Sequence, residues 1–543
     1  MDDEYLQCAR TRFGLNYLFP YQRLVIATLV ESLRADEGSA LRDDAGALGR
    51  QIVILPTGAG KSLCFQLPAA LCGGTTLIVY PLLGLMNDQE RRMRDAGFSV
   101  RQLRGGQDSS SRNEIFAEVS RGSLDILITN PETLATESVR RALELSPPVH
   151  AVVDEAHCIS EWGDTFRPAY TTLGESLDRI GISRRTAFTA TASDRVIERI
   201  RTVLFAHTGA SVVRGNPDRP NITYSVVPTL SIHHALQSMF GSPRPNEKTP
   251  ESTTTLPVWR PGRSVHRPAL VFCRTRAETE AIARLLAELL PAGTVRFYHA
   301  GLARERKEAI EQEFFKRSDA ILASTCAYGM GVDKSDIRTV IHTYVPETAE
   351  AFLQESGRGG RDHMPAQSIL LLTPEEQTRY QQLSTTGTHS PVQQMAFGTS
   401  CRRTALLHHF GVEGEQCSGC DRCEHVHSTP SYSHAAALIL AALHCDPVRR
   451  GERAWVRILT GRLSHSDRLK GLARHSAVGA LCGWQPHHVL EAFSGLTDLG
   501  LVSRARSLRP TNPVAVGDRT DLLLPFRLPQ IALDSSHSRR RQR

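Results

Sequence analysis

Three stretches hold residues whose types and spacing suit chemistry. In "LPTGAGKS", residues 55–62, a branched apolar run breaks into a glycine-rich turn and then a helix-like segment. Such a turn exposes backbone N–H groups at a helix N-terminus, where they and the helix dipole bind phosphate oxygens. Thr57, Gly58, Ala59, Gly60, Lys61 and Ser62 form the expected cradle, with Lys61 reaching the β- and γ-phosphates and the Ser62 hydroxyl ligating Mg²⁺. Leu55 stands where the full pattern has its first glycine, so the stretch alone also fits a plain strand-to-helix turn. "VVDEAH", residues 152–157, removes most of that ambiguity. An apolar run ending in Asp154-Glu155 places two carboxylates at a strand end, one to hold Mg²⁺ and one to orient or deprotonate an attacking water. Together the two stretches specify an ATP-hydrolysing core.

The second chemistry is metal binding. Cys401, Cys417, Cys420 and Cys423 are separated by 15, 2 and 2 residues. Four thiolates satisfy tetrahedral Zn²⁺, and the tight C-x-x-C-x-x-C end lets one loop supply three of them. Four protein ligands leave no open position, so the site is structural. A redox pair or an iron–sulfur site is the alternative. Most of His408, His409, His425 and His427 read as surface residues, with His425 in place of one cysteine as the alternative ligand. The other eight cysteines are scattered singly and read as buried thiols, which fits a chain without an export signal.

The third is stacking. "HCISEWGDTFRPAY", residues 157–170, follows the carboxylates directly and holds His157, Trp162, Phe166 and Arg167. Aromatic platforms with a cation suit a ladder of single-stranded bases, and their position could couple contact with a strand to hydrolysis. A buried aromatic anchor is the plain reading of a lone tryptophan.

These groups need a scaffold. From 52 to 213, short runs (IVIL, TLIVY, DILIT, HAVVDE, TAFTAT) alternate with longer helical patterns. Unbroken branched runs suit strands buried on both faces of a parallel sheet, and the alternation implies a doubly wound α/β domain. The pattern restarts with ALVFC at 269 and continues through VRFYHA, AILAST, TVIHTYV and SILLLT. Residues 241–267 between them, rich in Pro, Ser, Thr and charge, read as an insertion, as do 35–50 before the first strand. At 543 residues the chain exceeds one core, and its net charge of +7 leans mildly toward an anionic partner. No apolar run approaches the roughly 18 residues of a membrane helix, and the acidic N-terminus lacks a signal core. The expectation is a cytoplasmic protein without membrane contact, nucleoid-associated in a bacterium.

With these motifs in order, the chain from residue 5 to 425 resembles the RecQ branch of superfamily-two DNA helicases. The resemblance rests on "PTGAGKSLCFQLPA", "YPLLGLMNDQ", "DEAHCISEWGDTFRPAY", "FTATAS", "FYHAGL", "STCAYGMGVDKSDIR" and "QESGRGGRD". It implies two RecA-like domains that bind ATP with Mg²⁺ and translocate 3′ to 5′ on single-stranded DNA, followed by zinc. It implies that Gln22, in "FPYQ", reads adenine, although Phe19 replaces a usual arginine and Leu15 a usual aromatic. It also implies that Arg358 and Arg361 face the γ-phosphate, where spreading charge needs cations. Asp164-Thr165 departs from the family's His-Asp, which leaves coupling strength open.

The resulting expectation is an α/β protein. A first RecA-like domain spans 1–215, and a second spans 216–385 with the 241–267 insertion. A zinc-binding subdomain follows at 386–427, a winged helix at 428–505 and an irregular basic tail at 506–543. "HVLEAFSGLTDLGLVSR" (488–504) carries the winged-helix reading, with a simple helical accessory domain as its alternative. The expected function is an ATP-dependent 3′–5′ DNA helicase of repair or recombination, acting on single-stranded, forked or partly duplex DNA. Two readings compete with it. One is an ATP-gated clamp or remodeller that does not separate strands, with defence against foreign DNA among its settings; the other is a non-catalytic DNA scaffold.

Overall fold

The computed structural model describes residues 4–35, 49–56, 58–161, 163, 167–206, 209–241, 264–326, 334–384, 389–414, 416–424, 430–446, 450–504 and 508–510. Thr57, Trp162 and Phe166 lie outside the described residues, as do 36–48, 242–263 and 511–543. The described residues form two compact units. One draws on Met1–Arg219 with Leu407–Glu413, the other on Pro220–Tyr328, Lys334–Leu406 and Gly414–Arg543. The expected boundary at 215 falls near the division, but the boundaries at 385 and 427 do not divide units. Part of the expected zinc region, Leu407–Glu413, joins the first unit, where Arg214 Nη1 donates to Phe410 O at 3.0 Å.

The first unit holds strands β1 (Arg50–Ile54), β2 (Thr76–Val79), β3 (Val100–Gln102), β4 (Ile126–Thr129), β5 (His150–Val153), β6 (Arg185–Thr189) and β7 (Ser211–Arg214). They form one seven-stranded parallel sheet in the order β3-β4-β2-β5-β6-β1-β7. The branched runs are strands for the reason their composition implies. Successive side chains alternate between two apolar layers: Ile52, Leu77, Val79, Ala151 and Val153 pack in one, and Val53, Ile78 and Val152 in the other. Every strand segment from β1 through β6 that the runs mark is buried on both sides, as a parallel sheet with helices on each face requires. β3 and β7 were not legible as runs, being a polar-interrupted VRQ and a short SVVR at the two sheet edges.

The second unit holds β8 (Ile222–Pro228), β9 (Ala269–Phe272), β10 (Val295–Tyr298), β11 (Ile321–Ser324), β12 (Thr339–His342) and β13 (Ala366–Leu372). These form a six-stranded parallel sheet, β10-β11-β9-β12-β13-β8. Three of its helices start on side-chain caps, Ser231, Thr275 and Thr348 each accepting a backbone N–H three residues on. The insertion returns to the fold at its end, where Val265 N donates to Met239 O at 2.9 Å.

Beyond Glu424, helices Pro430–Cys445, Glu452–Thr460 and Pro486–Asp498 share one core with Trp455, Trp484 and Leu230. After the last helix Gly500 turns the chain in the left-handed region. β14 (Val502–Arg504) then pairs antiparallel with β15 (Leu508–Pro510). The irregular tail expected from 506 therefore begins with a strand, because pairing with β14 satisfies a backbone whose own sequence carries little strand signal.

Candidate active site and metal centre

β1, β5 and β6 end at one edge of the first sheet, and each sends functional residues beyond it. β6 lies between the other two, so the phosphate loop after β1 and the carboxylates after β5 flank the residues that follow β6. This is the crevice at the carboxyl ends of parallel strands where such folds bind ligands.

The loop after β1 takes its shape from two glycines in the left-handed region, Gly58 at φ 87° and Gly60 at φ 74°. Gly60 caps the helix Lys61–Cys72, and a Cβ there would meet Gln22 Nε2 at 2.5 Å. Only glycine fits both the angle and the space. Gln22 is buried and holds this turn: its Nε2 donates to Ala59 O at 2.9 Å, while its Oε1 accepts from Phe19 N at 2.9 Å. Lys61 Nζ donates to Leu55 O at 3.3 Å, folded over the loop it serves. Leu55, the residue that departs from the full glycine pattern, is fully buried under the loop. Beside the cradle the rings of Phe19 and Tyr21 stack 5.4 Å apart at 3°, and Tyr17 meets Phe19 edge-on. The exposed faces of Tyr17 and Phe19 offer an aromatic surface next to the phosphate loop.

Asp154 and Glu155 follow β5. Asp154 N donates to Val79 O at 3.0 Å and its Oδ1 accepts from Glu155 N at 2.9 Å. Burial, and then the Glu155 charge, push the Asp154 carboxyl well above the usual carboxylate range, while the nearby Lys61 ammonium pulls the other way. A carboxylate so desolvated favours a cation beside it. Glu155 sits at φ 51°, a left-handed angle rare for a glutamate. The flanking backbone holds it there, with Ala156 N donating to Phe188 O at 2.8 Å.

The residues named for DNA contact divide. His157 is buried, with Nδ1 at 3.4 Å from Glu155 Oε2 and 3.1 Å from Thr189 Oγ1. Thr189 in turn donates to Thr191 O at 3.0 Å. His157 therefore faces the carboxylates and the β6 end, not a DNA surface. Arg167 is engaged within the protein, its guanidinium paired with Glu132 and donating to Pro81 O. The expectation of a free cation for DNA is corrected: Arg167 ties the loop that follows the carboxylates to the segments around Pro81 and Glu132. Trp162 and Phe166 lie outside the described residues.

In the second unit Arg358 and Arg361 follow the helix Ala349–Ser356. Arg358 is buried. The turn carrying both is clamped: Gly360 N donates to Ile337 O at 2.8 Å, and Asn221 Nδ2 donates to Gly360 O at 2.9 Å and Met364 O at 2.8 Å. Gly360 has φ 56°, and a Cβ on it would meet Asn221 Nδ2 at 2.4 Å, so only glycine passes. Asp362 pairs with Arg338.

Cys401, Cys417, Cys420 and Cys423 converge, their sulfurs all within 4.8 Å of one another. A tetrahedron with Zn–S bonds of about 2.3 Å needs sulfurs roughly 3.8 Å apart, and Cys401 and Cys420 Sγ stand 3.9 Å apart. The donor set fits Zn²⁺. Cys401 immediately precedes the helix Arg402–His408. The knuckle is stapled to β8 through Tyr224, whose N donates to Gly419 O and whose O accepts from Asp421 N. Arg402, wholly buried, forks onto Asp421 with both contacts at 2.9 Å. Sequence reasoning missed Thr189, Glu132, Asn221, Tyr224 and the Arg402–Asp421 pair. Of these, Arg402 and Asp421 each stand beside a metal ligand and Thr189 lies within FTATAS, whereas Glu132, Asn221 and Tyr224 lay next to no site signal.

The comparisons with known proteins agree with this geometry. The DEAD/DEAH box helicase family matches residues 20–200, the helicase conserved C-terminal domain 258–363 and the RecQ zinc-binding family 362–424. The chain is 31% identical over 393 residues to ATP-dependent DNA helicase RecQ of Pasteurella multocida, covering 70% of this chain and 58% of that protein. To the protein of that name from Bacillus subtilis it is 27% identical over 493 residues, covering 86% and 79%. It therefore spans well under two thirds of the Pasteurella relative's length. Among solved structures, DNA-bound DUF1998 helicase MrfA aligns at TM-score 0.51 and 15% identity over 94% of this chain and 63% of that one. DEAD-box helicase Mss116 bound to single-stranded RNA aligns at 0.51 and 16% over 88% and 94%. At such identities these two likenesses speak to fold alone.

Proposed function

The chain belongs to the RecQ family of superfamily-two helicases, and from that premise we propose that it is an ATP-dependent DNA helicase. It hydrolyses ATP with Mg²⁺, translocates 3′ to 5′ on single-stranded DNA and separates forked or partly duplex DNA, in repair or recombination. The observation that carries this reading is the convergence of the phosphate loop after β1 and the carboxylates after β5 at one edge of the first sheet, on either side of β6.

The glycine cradle and Lys61 bind the phosphates, Ser62 and Asp154 hold Mg²⁺, and Glu155 orients the attacking water. Bound Mg²⁺ offsets charge on the transferring phosphoryl group. Arg358 and Arg361 are assigned to the same charge. Thr57 completes the cradle, Gln22 reads the adenine edge with Phe19 stacked on the base, and Trp162 and Phe166 stack on DNA bases. Zn²⁺ on the four cysteines holds the knuckle against β8. The helices and the β14–β15 hairpin after Glu424 read as a winged helix, because a hairpin following the helix Pro486–Asp498 is what a plain helical accessory domain lacks. No described helix is long and apolar enough to cross a membrane, and a cytoplasmic, nucleoid-associated location fits a DNA substrate.

The deciding experiment is unwinding of a forked duplex in the presence of ATP and Mg²⁺, with ATP turnover followed on the same substrate. Strand separation that requires hydrolysis is expected. DNA-stimulated turnover without separation would instead support the clamp reading.

A further inference from the structure

Beneath the arginine-bearing turn of the second unit lie two buried ionisable side chains that none of the roles above uses. His342, the last residue of β12, is fully buried, and its Nε2 stands 3.0 Å from Glu355 Oε2. Glu355 is also buried and lies in the last turn of the helix Ala349–Ser356. Phe272 stacks on the imidazole at 5.3 Å and 19°, and Phe352 packs against it at 5.1 Å.

The surroundings are those of an apolar core, where a hydrophobic pair of equal size escapes the desolvation penalty of a polar one. What a hydrogen bond adds over apolar contact is direction. The bond runs from a sheet strand to the helix end, so it sets the roll of the helix about its axis. From there little freedom remains: Gly357 N donates to Leu353 O at 2.8 Å, and Arg358 N donates to Glu355 O at 3.2 Å.

We infer that His342 and Glu355 form a positioning pair for Arg358, fixing the direction in which that side chain leaves the helix. Neither residue touches nucleotide; both act through Arg358. The inference rests on the assignment of Arg358 to the transferring phosphoryl group. A displacement of about 1 Å in such a group lowers rate by up to about a hundredfold, which is the size of effect the pair controls.

The test is steady-state ATP turnover of the full chain on saturating single-stranded DNA, with melting temperature on the same preparations. His342→Phe and Glu355→Leu keep volume and remove the bond; Glu355→Gln keeps an acceptor for the imidazole N–H. The first two are expected to lower kcat about tenfold or more, with KM for ATP within about twofold, while Glu355→Gln retains most turnover. Glu355→Leu combined with Arg358→Ala is expected to be no slower than Arg358→Ala alone. Parental kcat in Glu355→Leu, or losses that multiply in the double variant, overturn the inference. Should Glu355→Leu fail to fold, His342→Gln, which retains a donor, is set against His342→Phe, and equal turnover of those two overturns it. Parental turnover in Arg358→Ala instead removes the arginine assignment, and the inference with it.

Discussion

The imidazole of His157 stands 3.4 Å from the carboxylate of Glu155, inside the protein and under the end of β6. The same Nδ1 lies 3.1 Å from Thr189 Oγ1, whose own proton goes to Thr191 O. The carboxylate proposed to orient water and the residues after β6 are thus joined by one ring. His157→Phe keeps volume and breaks that link. DNA-stimulated turnover is expected to fall about tenfold or more while KM for ATP stays within about threefold. Equal stimulation ratios in variant and parent would remove His157 from the coupling path.

Lys61→Ala removes the ammonium from the phosphate cradle. Because catalysis of phosphoryl transfer is mostly positioning and charge stabilisation, turnover is expected to fall by about a hundredfold or more. Binding of a labelled single strand, measured by anisotropy, is expected to survive. Near-parental turnover would refute the cradle assignment.

Arg167 and Glu132 form one unit with Pro81 O. Arg167→Ala and Glu132→Ala are therefore expected to damage the same property, stimulation by DNA, while basal turnover remains. In a double-mutant cycle on that ratio their losses are non-additive by about 1 kcal/mol or more. Strict additivity would mean that Arg167 meets DNA on its own.

Zinc makes a direct prediction. Metal analysis is expected to find about one Zn per chain, and Cys420→Ser to lower the melting temperature, since structural Zn²⁺ in small sites contributes on the order of 10 kcal/mol. An iron absorption spectrum in anaerobically purified protein would overturn the assignment.

A pH dependence follows from the histidines between the helices Ile232–Phe240 and Pro486–Asp498. Burial, with lesser help from neighbouring histidines, pushes His488 down to about 3, and burial pushes His234 down to about 4. His487 is lowered by burial and by His233. His233 is raised by its bond to Glu491. Glu491 itself, held below its ordinary value by His233, and Glu278 and Glu288 are the acidic groups that face the cluster. For the three lowered histidines the stabilisation is present above about pH 6.5 and is lost as pH falls below it; for His233 the sign is opposite. Three against one leaves net loosening in acid. Amide exchange in the helix Pro486–Asp498 is expected to quicken between pH 7 and 5 relative to the first sheet, and His234→Gln to blunt the change. Exchange in that helix that keeps pace with the first sheet would exclude the linkage.

Residue types and short spacings alone determined the phosphate loop, the carboxylate pair, the four cysteines and ten of the strands' apolar runs, because each is a local signal. Gly58 and Gly60 are needed for backbone angles that only a glycine takes easily, and Cys417-x-x-Cys420-x-x-Cys423 for a reach that one loop can satisfy. Strands β3, β7 and β8 escaped because strand identity at or near a sheet edge is set by a neighbour's hydrogen bonds, not by a long apolar run. What only the tertiary structure decided are the partnerships across distance. Thr189 reaches His157 across 32 positions because β6 lies beside β5. Asn221 reaches Gly360 across 139 because β8 lies beside β13. Arg167, read as a cation for DNA, proved to be spent on Glu132. Strand order comes from how the crossovers stack the layers, and a buried polar group then takes whatever partner that order brings within about 3 Å.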